Sequence, residues 1–168
     1  MHFNNNIYEK QSEFLKKVFP RFSKINYRPG KYGLYTNVGY MLLGEIIKQV
    51  SRQTYETYVV NNILKPLQMY NTHFVINRKE KNIAGATHPV FSSVSIFIPF
   101  FYPNIRELCT IKNGLLWFKD FFPISTPPSG LIGSSIEMMK LAQMILSGGI
   151  LNGNRILNVD TINTMIYH

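Results

Sequence analysis

The chain has 168 residues, 45% of them hydrophobic and 14% aromatic, and a formal net charge of +9 from 18 basic and 9 acidic side chains. That length and apolar content suit one domain with a buried core and exclude a wholly disordered chain. A single cysteine, Cys109, excludes an internal disulfide, and the scattered His2, His73, His88 and His168 match no metal-ligand spacing, so neither metal nor cofactor is expected.

Met1 to Asn6 lacks a basic stretch followed by an apolar core, so no secretory signal is read there, and the sequence taken literally places the chain in the cytoplasm. Seven basic residues crowd between Lys10 and Lys31: Lys10, Lys16, Lys17, Arg21, Lys24, Arg28 and Lys31. A solvated basic face is the ordinary reading of such a run; nucleic acid, anionic lipid or an acidic cell-wall polymer are the alternatives. No nucleic-acid motif is present, so no nucleic-acid partner is expected.

Beyond a Pro29-Gly30 turn and Tyr35-Thr36-Asn37, residues 38–50 place Val38, Met41, Leu42, Ile46 and Val50 on one face at helical spacing. Thr54 caps a second helix with Tyr55, Tyr58, Val59 and Ile63 on one face, and Pro66 ends it. From Pro89 to Ile105 there is no charge, and the apolar run 90–102 predicts a buried segment or an apolar flap. A membrane span is not expected, because it needs roughly 20 apolar residues and this run is shorter and broken by Pro99 and Pro103. Cys109 is expected as a buried, inert thiol, and the proline-rich stretch Phe118 to Pro128 as a loop on the helical layer.

Ser134 and Glu137 have the spacing of a capping box, followed by Met138, Leu141, Ala142 and Ile145 at helical intervals and by a Gly148-Gly149 stop. Asn152-Gly153 predicts a tight turn between short extended arms. Asn158 caps a final helix through Met165.

The ordered set Pro29-Gly30, Tyr35-Thr36-Asn37, Gly39-Tyr40, Leu42-Leu43-Gly44, Leu64-Lys65-Pro66-Leu67-Gln68-Met69 and Thr72 resembles the middle of the serine beta-lactamase and penicillin-binding-protein-like hydrolases, in the class C type with a tyrosine second motif. Pro128-Ser129-Gly130-Leu131 through Met138, Gly148-Gly149, Asn152-Gly153, Arg155-Ile156-Leu157 and the 158–165 helix extend the similarity over about 29–165. The resemblance implies an α+β family fold of which these residues supply mostly α structure: the helical subdomain, without most of the antiparallel sheet. The whole of 1–168 then reads as one partial beta-lactamase-related domain.

In that family a serine of S-x-x-K attacks an amide, ester or lactam carbonyl, with a lysine one helical turn away assisting deprotonation. Tyr35 matches the tyrosine that relays protons, and Asn37 the residue that hydrogen-bonds the lysine and the substrate amide. Apart from the resemblance, the ordinary reading of one tyrosine among ten is a buried ring whose hydroxyl caps a loop. No serine here has a lysine three residues on, and neither K-T-G nor H-x-G occurs.

The expectation is therefore an internal part of such a hydrolase, from a truncated or split gene of bacterial type, inactive alone. Its parent would act on a small molecule or a peptidoglycan-type substrate, outside the cytoplasm as such enzymes usually do. The alternative is a non-catalytic module that binds a wall polymer or completes the site of a complementing chain. Two departures, Ser51-Arg52-Gln53 after the first helix and Gln68 where the family has glycine, cost on the order of 1 kcal/mol each if those backbones need positive φ.

Overall fold

Hydroxyl and amide caps open most of the helices here, because the first backbone N–H groups of a helix have no partner within it. A computed structural model, which describes residues 7–21, 24, 27–28, 30–74, 84–93, 95–97, 105–119 and 127–167, shows four such caps in use. Thr36 Oγ1 accepts from Val38 N at 3.3 Å, Thr54 Oγ1 from Thr57 N at 3.2 Å, Ser134 Oγ from Glu137 N at 3.3 Å, and Asn158 Oδ1 from Thr161 N at 2.7 Å.

In chain order the elements are α1 (Ile7–Val18), a 3-10 turn (Phe19–Arg21), α2 (Asn37–Ser51) and α3 (Tyr55–Val59), which runs into a π-helical turn (Val60–Leu64). There follow β1 (Thr87–Pro89), the short α4 (Ile105–Leu108), β2 (Cys109–Lys112) and β3 (Leu115–Phe118). The chain then forms α5 (Ser135–Leu146), β4 (Ile150–Leu151), β5 (Asn154–Arg155) and α6 (Val159–Tyr167). These fall into two compact units, one of Met1–Val75 with Pro123–His168 and one of Ile76–Phe122. The described residues are mostly helical with short strands, as expected for the helical part of the fold.

The first unit buries Val59, Leu64, Leu67, Met69, Phe74, Met144 and Ile162 together, so its core lies among α3, the loop after it, α5 and α6. Pro66 has no N–H to continue the ladder, and the chain leaves the helix through wider bonds, Lys65 N to Val60 O at 2.9 Å and Met69 N to Leu64 O at 2.8 Å. The β4–β5 hairpin pairs Ile150 with Arg155 and Leu151 with Asn154 around Asn152 and Gly153, both at positive φ, which is the predicted tight turn.

Helix α2 departs from the sequence reading. Of the five residues assigned to its buried face, Met41 is buried, but Ile46 is 56% exposed and Val50 81%. The covered side is rotated from the predicted one and runs through Met41, Gly44, Glu45 and Lys48: Gln11 Nε2 donates to Met41 O at 2.9 Å, Ser12 Oγ donates to Glu45 Oε2 at 2.9 Å, and Lys48 Nζ donates to Ser12 Oγ at 3.0 Å. Pro127 closes against Gly44, where any Cβ would collide with the proline ring, so this end of the proline-rich stretch does pack on the helical layer. Residues 120–126 of that stretch lie outside the described residues.

The second unit is a three-stranded antiparallel sheet of order β1-β3-β2, with Thr87 opposite Trp117 and Ile111 opposite Leu116. Asn113-Gly114, both at positive φ, close the β2–β3 hairpin. Cys109 and Leu116 are buried there, as expected of the thiol. Phe91, Ile96 and Phe97 of the apolar run are exposed rather than buried, while Val94 and 98–104 lie outside the described residues. No described helix is long and apolar enough to cross a membrane.

Candidate active site

Thr36 is extended (φ −151°, ψ 134°) and caps α2, so Tyr35 stands just before the helix and Asn37 is its first residue. This puts both side chains at one end of α2, and the Tyr35 hydroxyl donates to Asn37 Oδ1 at 3.0 Å. The Tyr35 ring leans on Tyr40 with centroids 5.4 Å apart and planes at 47°. At 75% exposed, Tyr35 is not a buried loop-capping tyrosine. The hydrogen bond fixes the direction of the Tyr35 O–H and leaves the Asn37 amide hydrogens for an incoming group.

Elsewhere in the same unit the chain is tied together over long sequence distances. The carboxylate of Glu137, 4% exposed, accepts from Asn71 N at 3.0 and 3.1 Å and from the Thr72 hydroxyl, 65 residues away. Burial pushes the Glu137 pKa up, but the Thr72 and Asn71 hydrogen bonds and the charges of Lys140 and His73 outweigh it and leave the group below its ordinary range. The capping box is thus half formed: Ser134 caps Glu137 N, while the Glu137 side chain turns to the 69–72 turn and takes up the Asn71 N–H and the buried Thr72 hydroxyl.

His73 and Ile132 exchange two backbone hydrogen bonds of 2.8 Å. Gly133 fits because a Cβ there would come within 2.6 Å of Thr72 Oγ1. Gln68 has φ 55° and Arg52 φ 58°, so both positions where the family favours glycine do need the left-handed conformation. Lys140 Nζ donates to the Gln68 carbonyl and Asn154 Nδ2 to that of Pro66 at 3.3 Å.

Two other serines meet basic side chains, and sequence spacing found neither. Ser12 Oγ commits its proton to Glu45 and receives Lys48 as a donor, an arrangement that fastens α1 to α2. Burial raises the Glu45 pKa, but bonds from Gln49 and Ser12 and the charges of Lys48 and Lys16 hold it low. In the second unit His88 Nε2 lies 2.7 Å from Ser92 Oγ, which accepts from Ser95 N at 3.1 Å as a turn cap. A small cleft lined by Gln11, Gly44, Glu45, Lys48, Thr54, Tyr55 and Glu56 includes neither Tyr35 nor Asn37. Among the described residues no cluster of ligating side chains could hold a metal ion.

The family model described as Beta-lactamase matches residues 8–166. An Escherichia coli (strain K12) protein described as a candidate D-alanyl-D-alanine carboxypeptidase is 31% identical over 145 residues, 82% of this chain and 32% of that protein. Among solved structures, the octameric penicillin-binding protein homologue from Pyrococcus abyssi gives a TM-score of 0.67 at 25% identity, covering 94% of this chain and 30% of that one. The D-amino acid amidase from Ochrobactrum anthropi SV3, complexed with D-phenylalanine, gives 0.69 at 16% identity over 97% of this chain and 43% of its own, a likeness of fold alone. The chain thus spans 30–43% of the length of these three proteins.

Proposed function

This chain belongs to the beta-lactamase family, and from that membership we propose that it supplies the Tyr-x-Asn wall of a serine hydrolase of the class C-like type, with the nucleophile provided by polypeptide other than residues 1–168. The reaction is acyl transfer from a lactam, a D-Ala peptide or an ester to a serine, followed by hydrolysis of the acyl-enzyme. The serine Oγ attacks the carbonyl carbon and gives up its proton, which Tyr35 passes to the departing nitrogen or oxygen; water then takes the reverse route in deacylation. Asn37 holds the Tyr35 hydroxyl through Oδ1 and donates from its NH2 group to the substrate amide.

The observation that carries this reading is the hydrogen-bonded, exposed Tyr35–Asn37 pair at the α2 N-terminus, within a fold of this family and with no S-x-x-K in the 168 residues. Intact-mass spectrometry tests it. The chain alone, incubated with a fluorophosphonate and separately with a penicillin-type probe, stays unmodified; a stoichiometric adduct on one of its serines overturns the external nucleophile. In an assembly that restores S-x-x-K, the serine is acylated and Tyr35→Phe slows that step by about 10²–10⁴-fold.

A further inference from the structure

Tyr35 precedes the cap of α2, and Tyr40 is the fourth residue of that helix counted from Asn37. Apolar side chains at these two positions close on each other across many helix starts and fix the angle at which the chain enters, as a hydrophobic staple. Here both are tyrosines, with ring centroids 5.4 Å apart and planes at 47°, within the range of about 4.5–7 Å that aromatic pairs favour. We propose that Tyr40 is a positioning residue for Tyr35: its ring holds the Tyr35 phenol at the head of α2 in the orientation that proton transfer needs. The inference rests on the function proposed above, in which Tyr35 carries the proton.

Three features of the helix start give that task to the Tyr40 ring. The hydrogen bond from the Tyr35 hydroxyl to Asn37 Oδ1 joins two exposed side chains, and a single bond of that kind competes with water. It directs the O–H but lets the two side chains swing together, whereas a ring at the fourth position of a helix leans toward the N-terminus and so over the residue before the cap. Second, among the described residues the Tyr35 ring has no aromatic neighbour besides Tyr40, and residues 31–37 are all exposed. Third, the backbone between the two rings is held. Thr36 Oγ1 accepts from Val38 N at 3.3 Å, Tyr40 N donates to Thr36 O at 3.4 Å, and Gly39 leaves room for the Thr36 methyl, since a Cβ there would stand 3.1 Å from Thr36 Cγ2. The cap thereby places the Tyr35 backbone, and the Tyr40 ring places its side chain. A proton passes between heavy atoms about 2.6–3.2 Å apart, and a change of the Tyr35 rotamer carries its hydroxyl out of that range.

The test compares Tyr40→Ala, which removes the ring, with Tyr40→Phe, which keeps it. NMR of the chain alone, labelled with ring-13C tyrosine and assigned through Tyr35→Phe, is expected to show Tyr35 signals away from those of an unfolded tyrosine. They stay in place in Tyr40→Phe and move to unfolded values in Tyr40→Ala, while the signals of Tyr55, whose ring packs on Phe74 in the core, hold in both. In an assembly that restores S-x-x-K, Tyr40→Ala is expected to slow acylation about ten- to hundredfold at saturating probe with KM unchanged, and Tyr40→Phe to restore the rate. Tyr35 signals that Tyr40→Ala leaves in place, or that Tyr40→Phe moves equally, overturn the positioning role. Loss of the Tyr55 signals together with those of Tyr35 also overturns it, because Tyr40 then supports the fold as a whole. So does unchanged acylation in Tyr40→Ala where Tyr35→Phe slows it. Tyr35 signals released by Tyr40→Ala, beside full-speed acylation in Tyr35→Phe, leave the ring contact standing and sink the proposed reaction.

Discussion

The 64–74 and 132–140 segments and the Tyr35–Asn37 edge belong to the same unit and are held in opposite ways. Around Glu137 a buried carboxylate, two backbone donors and acceptors, a hydroxyl and a lysine all have partners, several reaching across 65 residues or more. Among the described residues Tyr35 has one hydrogen bond, to a residue two positions away, and one ring contact, and the stretch from Lys31 to Asn37 is exposed throughout. Stability in this unit therefore resides away from the candidate residues and not in them. Residues proposed for chemistry sit where they can be changed, or completed by another polypeptide, without disturbing the core.

Substitutions can break or sharpen that contrast. The largest effect is expected from Glu137→Ala, which leaves Asn71 N and the Thr72 hydroxyl unsatisfied; urea unfolding should show a loss of about 3 kcal/mol. Gly133→Ala drives a Cβ toward Thr72 Oγ1 and should cost about 2 kcal/mol in the same measurement. Gln68→Gly relieves a left-handed non-glycine residue and should raise stability by about 0.5–1 kcal/mol. Tyr35→Phe should change it by less than about 0.5 kcal/mol, and a larger loss would mean that the two regions are not separable.

Acid titration reads the same contrast. Glu137 has a folded-state pKa below its ordinary value of 4.5, so its stabilisation is fully present above pH 4.5 and is lost as pH falls through the folded value. Urea midpoints between pH 7 and 3 should drop in the parent and in Tyr35→Phe alike. Glu137→Gln should flatten that acid limb, and an unchanged limb would place the acid-sensitive group elsewhere.

Local signals were legible in the sequence. Thr54, Ser134 and Asn158 cap the helices they were expected to cap, and Asn152-Gly153 makes its turn, whereas the Thr36 cap of α2 is seen only in the structure. The left-handed backbone at Arg52 and Gln68 was foreseeable from the missing glycines. The β2–β3 hairpin carried an equally clear Asn113-Gly114 signal that the sequence reading did not use. At the candidate site, the sequence supplied the tyrosine and the asparagine but not their exposure, because a phenol ring suits a core as well as a surface.

By itself, then, the sequence determined what depends on a few neighbouring residues: where helices begin, which turns need positive φ, and which residues stand at the head of α2. The tertiary structure decided which face of α2 is covered and where the Glu137 carboxylate goes. Periodicity says that an apolar stripe needs a cover but not what covers it, and α1 took a side rotated from it with Gln11 and Ser12. Spacing can place a glutamate at the third position of a helix, but the buried hydroxyl that draws its side chain away comes from a turn 65 residues earlier.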